Sequence, residues 1–295
     1  MRGDDVAVLE AEVAATALPG DVLLMRGKGE VSTLVSWLGE SRYSHAGLVG
    51  RDGKSIEAIL GGVAETPLPD LLDLEGILSV DLFRPKAHDG SAFGVADRRL
   101  VVDEAVSMLG TDFAVGDLVT VGMLVAMRDK PRIENPWLRV VVMRALEQLR
   151  ADDATRLVCS EFVYRCLRDC AASPRGRLRP VILEPQSNPM GPLRVNVPAL
   201  IDELWDLLNP HGLLDAELSP PDTADAPVPE VLQVSEKALD ELHAEVRVRL
   251  GIPEAQTLSM EKWLARRELA HPNPELIRPR DLEISPSLAF VARLK

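Results

Sequence analysis

The chain has 295 residues, 46% of them hydrophobic and 27% charged, enough apolar material for one large domain or two modest ones, so disorder of the whole is not expected. A formal charge of -13 argues against the basic footprint that nucleic acid or an anionic membrane attracts, and no nucleic-acid partner is expected. The longest apolar stretch, Leu118 to Met127, has about ten residues where a membrane-spanning helix needs about twenty, so it reads as a buried core helix and no integral span is expected.

Residues 1–17 are expected to be an N-terminal helical extension, with an amphipathic run from Val6 to Ala15. Acids at Asp4 and Asp5, and the lack of an apolar stretch before Glu10 and Glu12, do not support a secretory signal. Three clustered cysteines, an odd number, suit a reducing compartment better than a disulfide framework, and the expected location is cytoplasmic. Pro19-Gly20-Asp21 marks a turn into a buried strand, Val22 to Met25. His45 to Val49 and Ser55 to Ile59 flank Gly50-Arg51-Asp52-Gly53-Lys54 and predict a β-hairpin. A further strand, Leu78 to Phe83, is expected to end at Arg84-Pro85, because proline cannot donate to a ladder.

From Ala96 the period turns helical, with Leu100, Val101, Ala105, Met108 and Leu109 in step. Asn135-Pro136 supplies an N-cap and first-turn proline for a helix from Trp137 to Leu149. Residues 215–230, rich in proline and acids with no basic residue, predict a mobile linker. Helices are expected over Ser235 to Leu250 and Ser259 to Ala270, and a closing strand over Ile284 to Leu294.

The densest chemical signal is Leu157-Val158-Cys159-Ser160-Glu161-Phe162-Val163-Tyr164-Arg165-Cys166-Leu167. Apolar residues at 162, 163, 166, 167 and 170 mark one helix face, whose first turn begins near Cys159. Unpaired N–H groups and the positive end of the helix dipole lower a cysteine pKa there, and the thiolate is the nucleophile. Free cysteine is more often a small buried hydrophobe, which is the expectation for Cys166 and Cys170. A three-thiolate metal site is rejected, since positions i, i+7 and i+11 spread over about 16 Å along a helix, and no metal or other cofactor is expected.

Of five histidines, only His45 lies in a strand-like segment. Alternation sets His45, Gly47 and Val49 on one face, with Gly47 leaving room beside the imidazole. If the loop is Gly50 to Lys54, positions 47 and 57 pair, so Glu57 lies diagonal to His45 and orients its ring. A two-residue Asp52-Gly53 turn would instead send Glu57 to the opposite face. Tyr43, as a cleft wall, and Asp21 are candidate substrate contacts, although an aromatic beside a strand more often packs and an aspartate in that turn more often shapes it.

The segments Gly20-Asp21-Val22-Leu23-Leu24, Ser44-His45-Ala46-Gly47-Leu48-Val49, Ile56-Glu57-Ala58, Leu109-Gly110-Thr111-Asp112-Phe113 and Val158-Cys159-Ser160-Glu161-Phe162-Val163-Tyr164 resemble the circularly permuted NlpC/P60 proteins, the YiiX/YaeF-like papain-fold hydrolases. Arg278-Pro279-Arg280-Asp281-Leu282 with Ser285-Pro286 resembles the end of that domain. The likeness covers residues 18–170 and 276–295, and residues 171–275 depart from it as a helical insertion. It implies an α+β fold, a permuted papain-like domain with a small antiparallel β-barrel packed on helices, and a Cys159–His45–Glu57 triad. The expected function is thiol-dependent hydrolysis through an acyl-enzyme on Cys159, with His45 as base. The implied partner is an amide- or ester-containing small molecule, peptide or lipid-like substrate. The rivals are a catalytically silent ligand- or lipid-binding module of the same fold and a redox-sensing thiol.

Overall fold

The computed structural model describes residues 16–59, 61–111, 117–127, 133–151, 158–184, 193–208, 220–252 and 268–295. Six strands form one sheet: β1 Val22–Gly27, β2 His45–Val49, β3 Lys54–Ile59, β4 Gly62–Pro67, β5 Ile77–Pro85 and β6 Leu288–Arg293. Their order is β4-β3-β2-β1-β5-β6, and every neighbouring pair is antiparallel. In chain order the helices are α1 Glu30–Leu38, α2 Leu68–Asp73, α3 Val95–Ser107, α4 Asp117–Ala126, α5 Pro136–Ala151, α6 Cys159–Asp169, α7 Val197–Leu208, α8 Glu236–Arg249 and α9 Pro279–Glu283. The fold is mixed α+β.

The continuous apolar run of β1 is explained by burial on both sides, since a central strand covered twice has no face to leave polar. Leu23 and Met25 join Leu68, Leu71 and Leu82 on the α2 side. Val22 and Leu24 join Ala46, Leu48, Ile56 and Ala58 on the other side, against α3 and α6. This two-sided cover corrects the expected barrel. A barrel fills its interior with its own inward side chains, whereas here helices take both faces and the sheet stays open, edged by β4 and β6.

Two strand limits also differ from expectation. β5 begins one residue early, at Ile77, and ends at Pro85 as expected; Pro85 sits opposite Leu288 at the strand end, where a missing N–H is tolerated. The closing strand starts at Leu288 rather than Ile284, because Pro279 at the first helical position favours α9 and the Asp281 carboxylate accepts the Arg278 N–H at 2.8 Å. β6 then lies along β5, with its Arg293 guanidinium donating to the buried Asp81 at 2.7 and 2.9 Å.

A second core gathers α1, α4, α5, α7 and α8. It draws on both sides of residue 170. Gly122 of α4 faces the Ala145 carbonyl so closely that any Cβ would collide with it, so the glycine lets α4 and α5 approach. Asn135 caps α5, its Oδ1 accepting the Trp137 and Leu138 N–H groups at 2.9 and 3.1 Å, and Ser235 caps α8 through the Ala238 N–H at 3.1 Å. Residues 220–229 have no helix or strand, yet α5 holds them: the Trp137 indole donates to the Ala226 carbonyl at 2.9 Å and Asn135 Nδ2 to that of Ala224 at 3.0 Å. The run Val6 to Ala15, residues 215–219, and the expected helix from Ser259 as far as residue 267 lie outside the described residues. No helix among the described residues is long and apolar enough to cross a membrane.

Candidate active site

The hairpin sets the first part of the site. β2 and β3 pair Gly47 with Glu57, Leu48 with Ile56 and Val49 with Ser55, which is the register that keeps Glu57 on the His45 face. Gly47 has a definite reason to be glycine: a Cβ there would lie 2.6 Å from Glu57 Cγ. The space it frees holds the carboxylate that reaches across to His45, whose Nε2 stands 3.1 Å from Glu57 Oε2. Ser55, two residues before Glu57 on the same strand face, donates to Glu57 Oε1 at 2.7 Å. Both carboxylate oxygens are thus engaged.

The second part is the start of α6. Val158 is extended and Cys159 is the first helical residue, so the sulfur sits among N–H groups that have no partner within the helix. Ser160 anchors this turn to the C-terminal segment by donating to the Ile277 carbonyl at 2.6 Å. α6 packs on β2 and sets Cys159 close enough to His45 for the two groups to shift one another's protonation. With Nε2 turned to Glu57, Nδ1 is the ring nitrogen left for the sulfur. The backbone N–H groups of Ala46 and Ser160 also point at the sulfur.

The electrostatics follow from this arrangement. Burial pushes the Cys159 thiol up, but the His45 charge and hydrogen bond, with the two N–H donors, outweigh it and hold the pKa below the ordinary 9.0. Burial pulls His45 down, while the Cys159 charge and hydrogen bond and then Glu57 hold it well above 6.5. Burial raises Glu57, and the His45 hydrogen bond and charge more than reverse that, leaving it below 4.5. All three shifts run in the direction that favours the charged forms of Cys159, His45 and Glu57. Cys166 and Cys170 behave oppositely, both raised chiefly by burial. All three thiols are free. Seven helical residues put Cys166 about 10 Å along the axis from Cys159, too far for a disulfide.

An open cleft of about 450 Å³ leads to His45 and Glu57, walled by apolar side chains of β1, α1, α7 and the α2 end, among them Met25, Val31, Val35 and Leu71. Cys159 is not among the residues that line this cleft, and 4% of its surface is exposed. The structure therefore brings Cys159, His45 and Glu57 together. It does not bring Tyr43 or Asp21 to the cleft. Tyr43 is buried in the core with its hydroxyl donating to Asp81 at 2.6 Å, a satisfied packing residue. Asp21 is fully buried and receives Arg84 at 2.7 Å, Arg98 at 2.8 Å and the Leu18 N–H at 3.1 Å, which makes it the anchor of its turn. Sequence reasoning missed Ser55, although its i, i+2 spacing from Glu57 signals a shared face. It also missed the Ala46 N–H, which no side chain announces. The motif 109–113 includes Asp112 and Phe113, which lie outside the described residues. Among the described residues, no group of three or more His, Cys, Asp or Glu side chains is placed to hold a metal ion.

No family model matches the chain, and no curated protein matches it significantly. Among solved structures it is similar to one described as the metalloprotein YiiX from Escherichia coli O157:H7, DUF1105, at 15% identity over 94% of this chain and 98% of that chain, with a TM-score of 0.43. At that TM-score the likeness is too weak to decide fold or chemistry.

Proposed function

We propose that this chain is a thiol-dependent hydrolase with a permuted papain-like catalytic domain, acting on an amide or ester by acyl transfer. The observation that carries the proposal is the contact chain from Glu57 through His45 to Cys159 at the first residue of α6. The Cys159 thiolate adds to the carbonyl carbon, forming the C–S bond. The C–N or C–O bond then breaks as the His45 imidazolium protonates the leaving group. Water, giving its proton to His45, then cleaves the thioester and restores the pair. Glu57 holds the imidazole in the tautomer and orientation that both steps need. The first-turn N–H groups of α6, which have no partner within the helix, are the donors offered to the oxyanion.

The low exposure of Cys159 favours a second reading, a silent module that binds a ligand in the same cleft. Iodoacetamide labelling at pH 6 with mass-spectrometric mapping separates the two. The hydrolase reading expects Cys159 to be modified well ahead of Cys166 and Cys170, and His45→Ala to slow that modification. Equal labelling of the three thiols, unchanged in His45→Ala, would favour the silent module.

A further inference from the structure

The cleft has a wall that the sheet does not supply. Glu203 and Leu207 of α7 line it, within the segment that departs from the family likeness. Glu203 also does something specific there: its Oε1 accepts the Glu30 N–H at 2.7 Å and its Oε2 the Val31 N–H at 3.0 Å. These are first-turn donors of α1, whose N-cap, Gly29, has no side chain with which to satisfy them. A Cβ at Gly29 would stand 2.7 Å from Glu203 Oε2, so the glycine is what admits the carboxylate. The grip is returned, because the Glu30 carboxylate accepts the Asn196 N–H at 3.0 Å just before α7 begins.

Two lines lead from this grip to the site. Val31, Ser32 and Val35 of α1 line the same cleft as His45 and Glu57, so where α1 starts sets how wide the cleft is. Ser32 Oγ lies 2.5 Å from Ser44 Oγ, and Ser44 immediately precedes His45. The cleft surface exposed around these residues is mainly apolar.

We propose that Glu203 is a positioning residue that, by holding the first turn of α1, sets the cleft wall and so selects substrates that carry an apolar chain. The inference rests on the hydrolase reading above and adds to it the substrate class and the part played by the α7 insertion. Glu203 acts through α1 and does not touch the reacting atoms.

The test uses the full chain and two alkylating agents with the same warhead, iodoacetamide and N-octyl iodoacetamide, with rates read at Cys159 by mass mapping. The wild-type chain is expected to react faster with the octyl probe. Glu203→Ala should lower the ratio of octyl to small-probe rates about fivefold, equivalent to about 1 kcal/mol. Glu203→Gln, which keeps one acceptor oxygen, should recover part of the ratio. Leu207→Trp, which narrows the cleft from the same helix without touching the grip, should lower it as well, and it carries the test with Glu203→Gln if Glu203→Ala does not fold. A wild-type preference for the small probe, an unchanged ratio in the variants, or an equal fall in both rates would overturn the inference while leaving the hydrolase reading standing. Failure of Cys159 to label selectively in the wild-type chain would overturn both.

Discussion

Along α6 the same chemical group meets opposite influences at two positions. Cys159 opens the helix and Cys166 lies two turns on; both are buried, and burial alone raises a thiol pKa. At Cys159 the imidazolium of His45 and the N–H groups of Ala46 and Ser160 overcome that effect, whereas Cys166 has apolar neighbours and the more distant acids Glu104 and Asp169 to raise it further. The difference teaches that position on the helix supplies the N–H donors, while the decisive charge comes from another element, β2. A helix start without its histidine would leave Cys159 closer to its neighbours in behaviour.

Substitution at the two ends should separate most sharply in turnover. With any substrate identified, Cys159→Ala is expected to lower kcat by about 10⁴-fold or more, the scale on which loss of a nucleophile acts. Cys166→Ala should leave kcat within about twofold, and a large loss there would break the comparison. His45→Ala removes the charge that distinguishes the two thiols. It should slow iodoacetamide modification of Cys159 at pH 6 by about a hundredfold, within the range for removal of a general base. Glu57→Gln should slow turnover less, because the ring stays in place but loses the carboxylate that holds it.

The pH profile sharpens the contrast by sign. A lowered pKa means that Cys159 stays thiolate as pH falls beneath the ordinary range and loses reactivity only on passing its own lower value. Cys166 and Cys170, raised, should gain reactivity only above the ordinary 9.0, as rates across pH 5 to 10 would show. Glu57 adds a stability effect: its folded pKa lies below the ordinary 4.5, so its contribution is present above that value and is lost as pH falls through the lower folded one. Acid denaturation of Glu57→Gln should therefore be less steep in that window.

The smallest effects are in stability, where the order of the two ends reverses. Cys166→Ala opens space in a fully buried site and is expected to cost about 1–2 kcal/mol in urea unfolding. Ser160→Ala, which removes the hydroxyl donated to the Ile277 carbonyl, is expected to cost about 1 kcal/mol. If Cys166→Ala proved neutral, the far end of the helix would not be the packed core that its thiol pKa implies.

Much of the fold near the site was legible because the relevant patterns are short-range. The first strand and the hairpin followed from apolar runs, alternation and the loop Gly50 to Lys54, of whose two possible registers the structure has the one that puts Glu57 beside His45, and the Asn135 cap is a local signal that the structure repeats. β4 escaped notice because Gly62–Pro67 is short and half polar, as an edge strand can be when only one neighbour needs it. α1 escaped as well, since its N-terminal donors are satisfied by Glu203, which lies 173 residues away in sequence.

By itself the sequence determined that Cys159 starts an amphipathic helix and that His45 and Glu57 can share a strand face, because helical and strand periods fix which side chains lie together within one element or hairpin. Only the tertiary structure decided that Tyr43 and Asp21 face the interior, that the sheet stays open, and that a helix from the insertion walls the cleft. Those outcomes depend on which elements meet across long stretches of chain, and no local period encodes where a remote carboxylate or an opposing helix will dock.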